Sequence, residues 1–346
     1  MSTPRIEINL SKIQKNSEYL VQKLKKKGIS TIGVTKAVCG DPAIALAIIS
    51  GGVTGLADSR IENVTRMREA GIISDITMIR TPMKSQIQLI VDSCDFSYNT
   101  EISVIEALAC NALKKSKIHN IVLMVEMGDL REGIMPNDLE EYFKRIVQIP
   151  GINIAGIGAN FACLNKTAPN QKSMSLFSKI IDRLKSKYEA NIKIISGGNS
   201  ASLPWVFSNN NLNQINELRL GESILLGSDP ISGNPVQGLY TDAFTLISEV
   251  IESKKKPEFR KTSSAKTNST YFKENDQVIL AIGNQDTDVN SLGFPNGFTF
   301  VGATSDHLVL NTSNLKVKIG AECRMKMNYN SLMKIMNSPT VEKKYL

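Results

Sequence analysis

The chain has 346 residues, a length typical of about two domains. Hydrophobic residues make up 42% and charged residues 21% of the sequence, which is the composition of a folded globular protein and excludes a disordered, collagen-like or coiled-coil chain. The net charge of +8 bears on solubility and association, and we expect no nucleic-acid partner from it.

No segment of the sequence predicts export or membrane insertion. The longest apolar run, Ile44 to Ile49, is far shorter than the roughly 20 residues that span a bilayer. Arg5 and Glu7 fall where a signal peptide needs its apolar region. The five cysteines include no close pair and the chain has two histidines, so neither a disulfide framework nor a metal site is indicated. We therefore expect a cytoplasmic protein without a bound metal.

Up to Gly227 the chain repeats one pattern, a short β-branched run followed by a turn and an amphipathic helix. This alternation is typical of parallel strands covered by helices, and eight units over about 220 residues favour a (β/α)8 barrel over an open dinucleotide-binding sheet. No Gly-x-Gly-x-x-Gly motif follows the first strand, which also disfavours the open sheet. The predicted strands are Ile32–Val34, Thr54–Ala57, Ile76–Ile79, Phe96–Tyr98, Ile121–Val125, Ile154–Gly158, Ile192–Ile195 and Ile215–Leu218.

After Gly227 the pattern changes to strands separated by Gly, Asn and Asp turns, without long helices between them. We predict a barrel domain over 11–227 and a mostly β domain over 228–346, with residues 1–10 pairing with the β domain. The basic segment 253–270 is predicted to be a solvated loop. The predicted strands of the β domain are Asp242–Glu252, Val278–Ile282, Phe298–Ala303, His307–Asn311 and Leu315–Met327.

Functional residues of a barrel lie at the C-terminal ends of its strands. The first strand leads to Lys36. A lysine at the inner end of a buried strand loses hydration, which lowers its pKa and makes its amine a usable nucleophile toward an aldehyde. The alternative is a lysine whose ammonium group extends to solvent at the rim of the barrel.

Two glycine-containing loops follow the seventh and eighth strands. They read Ser196-Gly197-Gly198-Asn199-Ser200 and Arg219-Leu220-Gly221-Glu222-Ser223. Hydroxyl groups and backbone N–H groups in these positions favour a phosphate site, which is a recurring feature of barrels. A lysine nucleophile, two phosphate loops and an arginine able to face a pyridine nitrogen together predict a site for pyridoxal 5'-phosphate (PLP).

These motifs, taken in order, resemble the fold-type III PLP-dependent amino-acid racemases, in particular the alanine/ornithine racemase-like family, over nearly the whole chain. The stretch 33–40 is similar to the family's lysine motif, which implies that Lys36 holds PLP covalently and acts as one catalytic base. The stretch 126–133 resembles the segment whose arginine contacts the phenolic oxygen of the cofactor and the substrate, a role that falls to Arg131.

Two further motifs of the barrel match the family. The Asn-Ser pair that ends at Ser200 resembles the family's phosphate-binding pair, so the resemblance implies that Ser200 binds the phosphate. The Arg-x-Gly motif implies that Arg219 is the partner of the pyridine nitrogen, and that Gly221 and Glu222 supply backbone donors to the phosphate.

The β domain carries two matches as well. The stretch 302–306 resembles a segment that reaches the active site of the other subunit, which implies that Ser305 and Asp306 hold the substrate carboxylate and that the protein is a homodimer. Tyr345 matches a tyrosine that binds the cofactor phosphate.

Three departures from the alanine racemases concern the substrate. Their second catalytic base is a tyrosine in a Gly-Tyr-Ala-Asp segment, where this chain has Gly283-Asn284-Gln285-Asp286. Asn160 stands in the cofactor site where they have a histidine, and the region of Cys39 replaces a tyrosine after the lysine motif. The departures favour a substrate other than alanine, such as ornithine.

Racemisation needs a second group that exchanges the Cα proton on the face opposite to the lysine. Asp286, His307 and Cys163 are the candidates for this second base. Each has a structural alternative: a turn carboxylate, a histidine on a strand surface and a buried thiol.

The sequence therefore predicts an isomerase, a PLP-dependent racemase that interconverts L- and D-amino acids by two-base proton transfer. Two other functions stay open. One is a PLP-dependent decarboxylase or aldolase of the same fold. The other is a non-catalytic PLP-binding protein, although such proteins resemble the barrel alone and this chain continues after Gly227.

Overall fold

The computed structural model describes residues 3–257, 274–313 and 315–346. The chain divides into two compact units, one of Ser11–Thr241 and one of Met1–Leu10 with Asp242–Leu346. The segment 228–241, which we expected in the β domain, belongs to the barrel unit. It is fixed there by Asn16, whose side chain donates to the Tyr240 carbonyl at 2.9 Å and accepts from the Tyr240 N–H at 2.7 Å.

The barrel unit contains a closed barrel of eight parallel strands, which confirms the predicted fold class. After strand β1 (Arg5–Ile8) and helix α1 (Leu10–Lys25), the barrel strands pair in sequence order, and the last strand pairs with the first. The barrel strands are β2 (Ser30–Val34), β3 (Gly55–Asp58), β4 (Ile76–Met78), β5 (Phe96–Asn99), β6 (His119–Val125), β7 (Ile152–Ala159), β8 (Ile194–Ser196) and β9 (Glu217–Leu220).

Helices connect the barrel strands, as right-handed crossovers between parallel strands require. Helix α2 begins at Pro42, because the Asp41 carboxylate accepts the Ile44 N–H at 3.1 Å and Pro42 occupies the first turn. The helices that follow α1 in this unit are α2 (Pro42–Ser50), α3 (Ile61–Glu69), α4 (Ile87–Ser93), α5 (Ile102–Lys114), α6 (Leu139–Ile146), α7 (Gln171–Tyr188), α8 (Leu203–Ser208) and α9 (Glu222–Leu226).

The last two barrel strands begin two residues later than predicted. Ile192 and Ile215, which we assigned to these strands, are buried in turns that lead into them. Hydrophobicity alone does not separate a buried turn residue from a strand residue. The shift places Arg219 within β9, beside Glu217, which the predicted strand already contained.

The β domain is an antiparallel sheet with two added strands. Its order is β12-β15-β10-β11-β14-β13, and β1 pairs antiparallel with β10 and parallel with the last strand, β16. Residues from the start of the chain thus belong to the sheet of the β domain. The elements of this domain are β10 (Phe244–Pro257), β11 (Glu274–Leu280), β12 (Leu292–Gly293), β13 (Thr299–Ala303), β14 (Leu308–Asn311), β15 (Glu322–Met327), α10 (Tyr329–Asn337) and β16 (Glu342–Tyr345).

Three predictions for the β domain were wrong in part. Residues 253–257 extend β10 and pair with β11. Lys254 and Lys256 alternate along this strand with the same period as Glu252 and form ion pairs with it, so the basic charge is partly neutralised within β10. The rest of the predicted loop, 258–270, lies outside the described residues. The last predicted strand is shorter, Glu322–Met327, and helix α10 follows it. A capping box of Asn328 and Ser331 starts this helix, and it is the sequence signal that we did not use.

Within the described ranges, no helix is long and apolar enough to cross a bilayer. No cysteine forms a disulfide there, and no group of three His, Cys, Asp or Glu side chains is arranged to hold a metal ion.

We predict that Asp41→Ala lowers the free energy of unfolding by about 1 kcal/mol, because it removes the hydrogen bond that caps α2. Urea denaturation measures this loss. Asp138→Ala is the matched control, since Asp138 precedes α6 but its side chain makes no capping hydrogen bond. Equal losses of unfolding free energy in the two variants would contradict the assignment of Asp41 as the cap of α2.

Candidate functional site

Lys36 lies at the C-terminal end of β2, where it begins a short 3-10 turn over Lys36–Val38. Burial lowers the pKa of its ammonium group, and nearby Arg131 acts in the same direction. Cys163, Asp58 and Glu132 oppose this change as negative or potentially negative neighbours. The amine therefore lies at the barrel mouth in a mixed electrostatic environment, which agrees with a nucleophile more than with a lysine that extends to solvent.

The turn that carries Lys36 is held from the end of β3. The Asp58 carboxylate is fully buried and accepts from the Thr35 hydroxyl at 2.7 Å, from the Asn63 amide at 2.9 Å and from the Arg60 N–H at 3.0 Å. Burial raises the pKa of Asp58, while these hydrogen bonds oppose the change. Since Thr35 immediately precedes Lys36, Asp58 fixes the backbone from which the lysine side chain starts.

Arg219 projects from β9 and is 4% exposed. Its guanidinium donates to the Ala159 carbonyl at 2.9 Å, to the Asn160 side-chain oxygen at 2.5 Å and to the Ser196 hydroxyl. The guanidinium carbon also lies 4.9 Å from the centre of the Tyr98 ring, within range of a cation–π interaction. Acceptors from the ends of β7 and β8, together with the Tyr98 ring on β5, thus hold this cation in one orientation.

A polar pair lies next to Arg219 inside the barrel. The Tyr98 hydroxyl donates to Glu217 at 3.0 Å, and both residues are buried. Burial raises the pKa of Tyr98, so the phenol stays protonated and can donate. Glu217 lies two residues before Arg219 on the same strand, and its carboxylate balances the buried guanidinium charge through Tyr98.

Arg131 lies in the loop after β6, together with two carboxylates. Its guanidinium pairs with Glu132 through two nitrogens, one of them donating at 2.6 Å, and its Nε lies 3.7 Å from Asp129. The other oxygen of Asp129 accepts the N–H groups of Cys163 and Leu164, at 2.8 and 2.9 Å. Asp129 therefore ties the loop after β6 to the loop after β7.

The two predicted phosphate loops meet beside β2. Ser200 begins a 3-10 turn after β8, and its hydroxyl lies 3.0 Å from the hydroxyl of Ser223 in α9. Gly221 precedes α9, and a Cβ at this position would lie 3.2 Å from Cβ of Val34, so the backbone there approaches β2 closely. The first N–H groups of a helix have no intrahelical acceptor. The N–H and the hydroxyl of Ser223 both donate to the Ser200 oxygen. The Ser200 hydroxyl and the N–H groups of Gly221 and Glu222 are then the donor set predicted for the phosphate, and its chemistry fits PLP.

Glu222 is the first residue of α9 and is partly buried. Burial, with a contribution from Asp229, raises the pKa of its carboxyl to about 7. A carboxyl that is half protonated near neutral pH repels an adjacent phosphate less than an ionised one does.

The β-domain candidates also come together, in a second cluster. The Asn284 N–H donates to the Thr304 carbonyl at 2.9 Å and the Gln285 N–H donates to the Ser305 carbonyl at 3.0 Å, which joins the 283–286 turn to the tip of the β13–β14 hairpin. Gly283 is required here, because a Cβ would lie 2.4 Å from the Asp306 nitrogen.

The structure distinguishes between two candidates for the second base. Asp286 is 5% exposed, and its carboxylate accepts from the Gly283 N–H at 3.1 Å and the Thr340 hydroxyl at 2.7 Å. These bonds give it a structural task within the β domain, as the turn-carboxylate alternative anticipated. His307 is partly exposed at the hairpin tip, and its Nδ1 lies 2.9 Å from the Asp306 carboxylate.

Three further candidates, Asp306, Ser305 and Tyr345, also lie in the β-domain unit. The hydrogen bond from His307 lowers the pKa of Asp306, so an ionised Asp306 would repel a substrate carboxylate. Binding of the substrate carboxylate would then fall to the Ser305 hydroxyl and to backbone N–H groups. Tyr345 ends β16, in the β-domain unit, and its contact with the cofactor phosphate stays a prediction.

Sequence reasoning missed four residues that organise the barrel site: Asp58, Tyr98, Glu132 and Glu217. Glu132 adjoins Arg131 within a recognised motif, so that motif contained a signal for it. Tyr98 and Glu217 are 119 residues apart, and no local pattern relates them.

A closed (β/α)8 barrel with Lys36, Arg131 and Arg219 near its C-terminal end, followed by an antiparallel β domain, is the architecture of the fold-type III PLP-dependent enzymes, which include the amino-acid racemases. The family model described as "Alanine racemase, N-terminal domain" matches residues 8–229. The chain belongs to this family and is an isomerase, a PLP-dependent amino-acid racemase.

The relatives extend this similarity over the whole chain. It is 33% identical to an ornithine racemase of Acetoanaerobium sticklandii, over 99% of both proteins, and 34% identical to a lysine racemase of Thermotoga maritima, over 100% of this chain and 99% of the relative. Among solved structures, an alanine racemase from Streptomyces lavendulae superposes with a TM-score of 0.80 at 17% identity, covering 100% of this chain and 98% of the other. That structure supports the fold.

We predict that Gly133→Ala destabilises the protein by about 1–3 kcal/mol, because a Cβ there would lie 2.5 Å from the Glu126 nitrogen at the base of the Arg131 loop. Thermal unfolding measures the loss. Gly128→Ala, in the same loop, is the control for backbone strain, since Gly128 has a φ of +107° but an added Cβ meets open space. A larger loss at Gly128 would contradict the proposed packing.

We also predict a pH-dependent effect of Glu222→Gln. The folded pKa of about 7 lies above the ordinary value of 4.5, so wild-type stability from this group is complete below pH 4.5 and is lost as the pH rises through 7. Glutamine cannot ionise, so the variant should match wild type near pH 4.5 and be more stable near pH 8, by on the order of 1 kcal/mol after solvent screening. Denaturation at both pH values tests this. A stability difference between Glu222→Gln and wild type that is the same at both pH values would refute the prediction.

Proposed function

We propose that this racemase acts on a basic amino acid, ornithine or lysine, and interconverts its enantiomers by two-base transfer of the Cα proton. The observation that carries the proposal is the full-length similarity to relatives named ornithine racemase and lysine racemase. The replacement of the tyrosine of alanine racemases by Asn284 supports a substrate other than alanine.

Lys36 is the residue that binds PLP and the first base. When bound, PLP joins the amino group of the substrate and delocalises the negative charge left by loss of the Cα proton. The lowered pKa of Lys36 leaves more of its amine neutral, so the amine can attack an aldehyde and later accept a proton.

The two arginines hold the cofactor ring in this proposal. Arg219 would hold the pyridine nitrogen, and because a guanidinium keeps its protons at ordinary pH, it would leave that nitrogen without a proton. Arg131 would hold the phenolic oxygen and the substrate. Asn160 lies between them, where it accepts a hydrogen bond from Arg219.

The phosphate end of PLP binds to the two loops beside β2. The Ser200 hydroxyl and the backbone N–H groups of Gly221 and Glu222 are its proposed donors, with the Tyr345 hydroxyl as a further one. The buried hydroxyl pair of Ser200 and Ser223 supports this position.

The second base comes from the β domain of the partner chain in a homodimer. We propose His307, because its side chain is partly exposed and its Nδ1 lies within hydrogen-bond distance of Asp306, which leaves Nε2 as the nitrogen available for proton transfer. Cys163 and Asp286 are the alternatives, and the buried, hydrogen-bonded state of Asp286 disfavours it. Ser305, on the same hairpin tip, is the proposed ligand of the substrate carboxylate.

From the cysteine pattern we also propose a cytoplasmic location.

An amino-acid panel tests the substrate. The PLP-loaded protein is incubated with L-ornithine, L-lysine, L-alanine and neutral amino acids, and the enantiomers are resolved by chromatography. We expect D-ornithine or D-lysine to form at least tenfold faster than D-alanine, and Lys36→Ala to abolish both this activity and borohydride-trapped labelling by PLP. Diamine or aldehyde products without racemisation would instead indicate a decarboxylase or an aldolase, and bound PLP without any turnover would indicate a carrier.

Complementation tests the shared site. Lys36→Ala and His307→Ala chains should each be inactive, and a mixture after subunit exchange should recover activity, because one hybrid site has both residues intact. A labelled-subunit assay verifies exchange, and circular dichroism verifies that both variants are folded. A mixture that stays inactive, or an active monomer in sedimentation, would rule out this arrangement.

A further inference from the structure

Glu132 connects the two arginines of the barrel site. Its Oε1 accepts from Arg131 Nη2 at 2.6 Å and from the Asn160 side-chain nitrogen at 3.0 Å. The oxygen of the same Asn160 amide accepts from Arg219 at 2.5 Å. One unbroken line of hydrogen bonds therefore runs from Arg131 through Glu132 and Asn160 to Arg219.

The carboxylate determines which way the Asn160 amide faces. An amide has a donor end and an acceptor end, whereas Arg219 offers donors alone. Glu132 accepts from the NH2 end of Asn160, and this leaves the oxygen toward Arg219. With a donor in place of Glu132, the amide would lose its preference, and its NH2 group could turn against the guanidinium.

The loop backbone is shaped to place neighbouring side chains on one side. Arg131 and Glu132 are adjacent in sequence yet form a two-contact ion pair. Leu130, just before them, has a φ of +54°, an uncommon conformation for a residue with a side chain. The Glu126 carboxylate holds this conformation by accepting the N–H groups of Leu130, at 3.0 Å, and Gly128. Unusual backbone geometry of this kind concentrates at functional sites.

We propose that Glu132 is a positioning residue for racemisation, whose carboxylate holds Arg131 directly and Arg219 through Asn160 in the arrangement that binds the cofactor ring. Because the roles of the two arginines are those given above, this inference rests on the proposed function. Glu132 itself contacts neither substrate nor cofactor in this scheme. It acts by fixing the directions of two cations.

The test is a double-mutant cycle with Glu132→Gln, Asn160→Ala and the double variant. Two properties are measured: the affinity for PLP, as the Kd from fluorescence titration of the cofactor-free protein, and the steady-state kinetics, as kcat and KM of the PLP-loaded protein for the substrate identified by the panel. We expect Glu132→Gln to weaken PLP binding about tenfold and to lower kcat about 10- to 100-fold, with KM changed less than threefold. The double variant should be no worse than the poorer single variant, because both residues belong to one line of contacts.

Two further variants separate positioning from charge and from folding. Glu140→Gln also removes a carboxylate from an ion-paired glutamate, in this case on the surface of α6, and should leave both quantities unchanged. Glu132→Asp keeps the charge on an arm one methylene shorter, so it should lose the contact with Asn160 and fall close to Glu132→Gln. It also provides the cycle with a second substitution if the glutamine variant does not fold.

The outcomes distinguish this inference from the proposed function. Wild-type protein that binds PLP without racemising any amino acid would refute the proposed function, and the PLP affinities would still decide the role of Glu132. Wild-type racemisation with unchanged affinity and kcat in Glu132→Gln, strictly additive effects in the double variant, or a rise in KM alone would overturn the positioning role.

Discussion

The burial of the Arg219 guanidinium inside a parallel barrel is the constraint on which the rest of the site depends. A charge removed from water must be surrounded by acceptors and a counter-charge, because an unpaired buried cation is costly. The backbone at the end of β7, the Ser196 hydroxyl and the Asn160 oxygen supply the acceptors. Glu217 supplies the negative counter-charge. Tyr98 connects it to Arg219, because the Tyr98 hydroxyl donates to the Glu217 carboxylate and the Tyr98 ring lies against the guanidinium. These partners come from four different strands and the loops that follow them, so the closed barrel is what brings them to one point.

The same requirement explains why acidic residues accumulate around a site that binds an anionic cofactor. Lys36, Arg131 and Arg219 are three cations at one end of the barrel, and mutual repulsion would favour their separation. Three carboxylates offset this repulsion, and each makes a specific contact. Asp58 contacts the turn that carries Lys36, and Asp129 contacts the loop after β7. Glu132 forms an ion pair with Arg131. The three cations can therefore lie close together in the folded protein and keep the orientations in which they face the cofactor.

The predictability of the molecule from its sequence follows the range of the interactions involved. The barrel was predictable, because strand and helix periodicity is local and a closed sheet fixes which loop ends meet. The positions of Lys36, Arg131 and Arg219 near the C-terminal end of the barrel were predictable for the same reason, since each follows a strand or lies near the end of one, and their cofactor roles stay predictions. The partners of these residues were not predictable, because the hydrogen bonds that join Asn160 to Glu132 and to Arg219 connect positions 28 and 59 residues apart. The omission of α10 was different in kind, since its capping box is a local signal.

The β domain shows how a site can lose one residue and retain the geometry around it. Asn284 replaces a tyrosine, but the 283–286 turn still pairs with the hairpin tip through the backbone, and Gly283 still allows the close approach. Backbone pairing does not depend on the side chain at 284, so the tip carrying Ser305, Asp306 and His307 keeps its position when that side chain changes. The His307 imidazole is then available at a surface whose geometry was already set, and its pairing with Asp306 orients the ring. On the proposal that His307 exchanges the Cα proton, the proton-transfer group would differ from that of the alanine racemases without any change in the backbone that carries it.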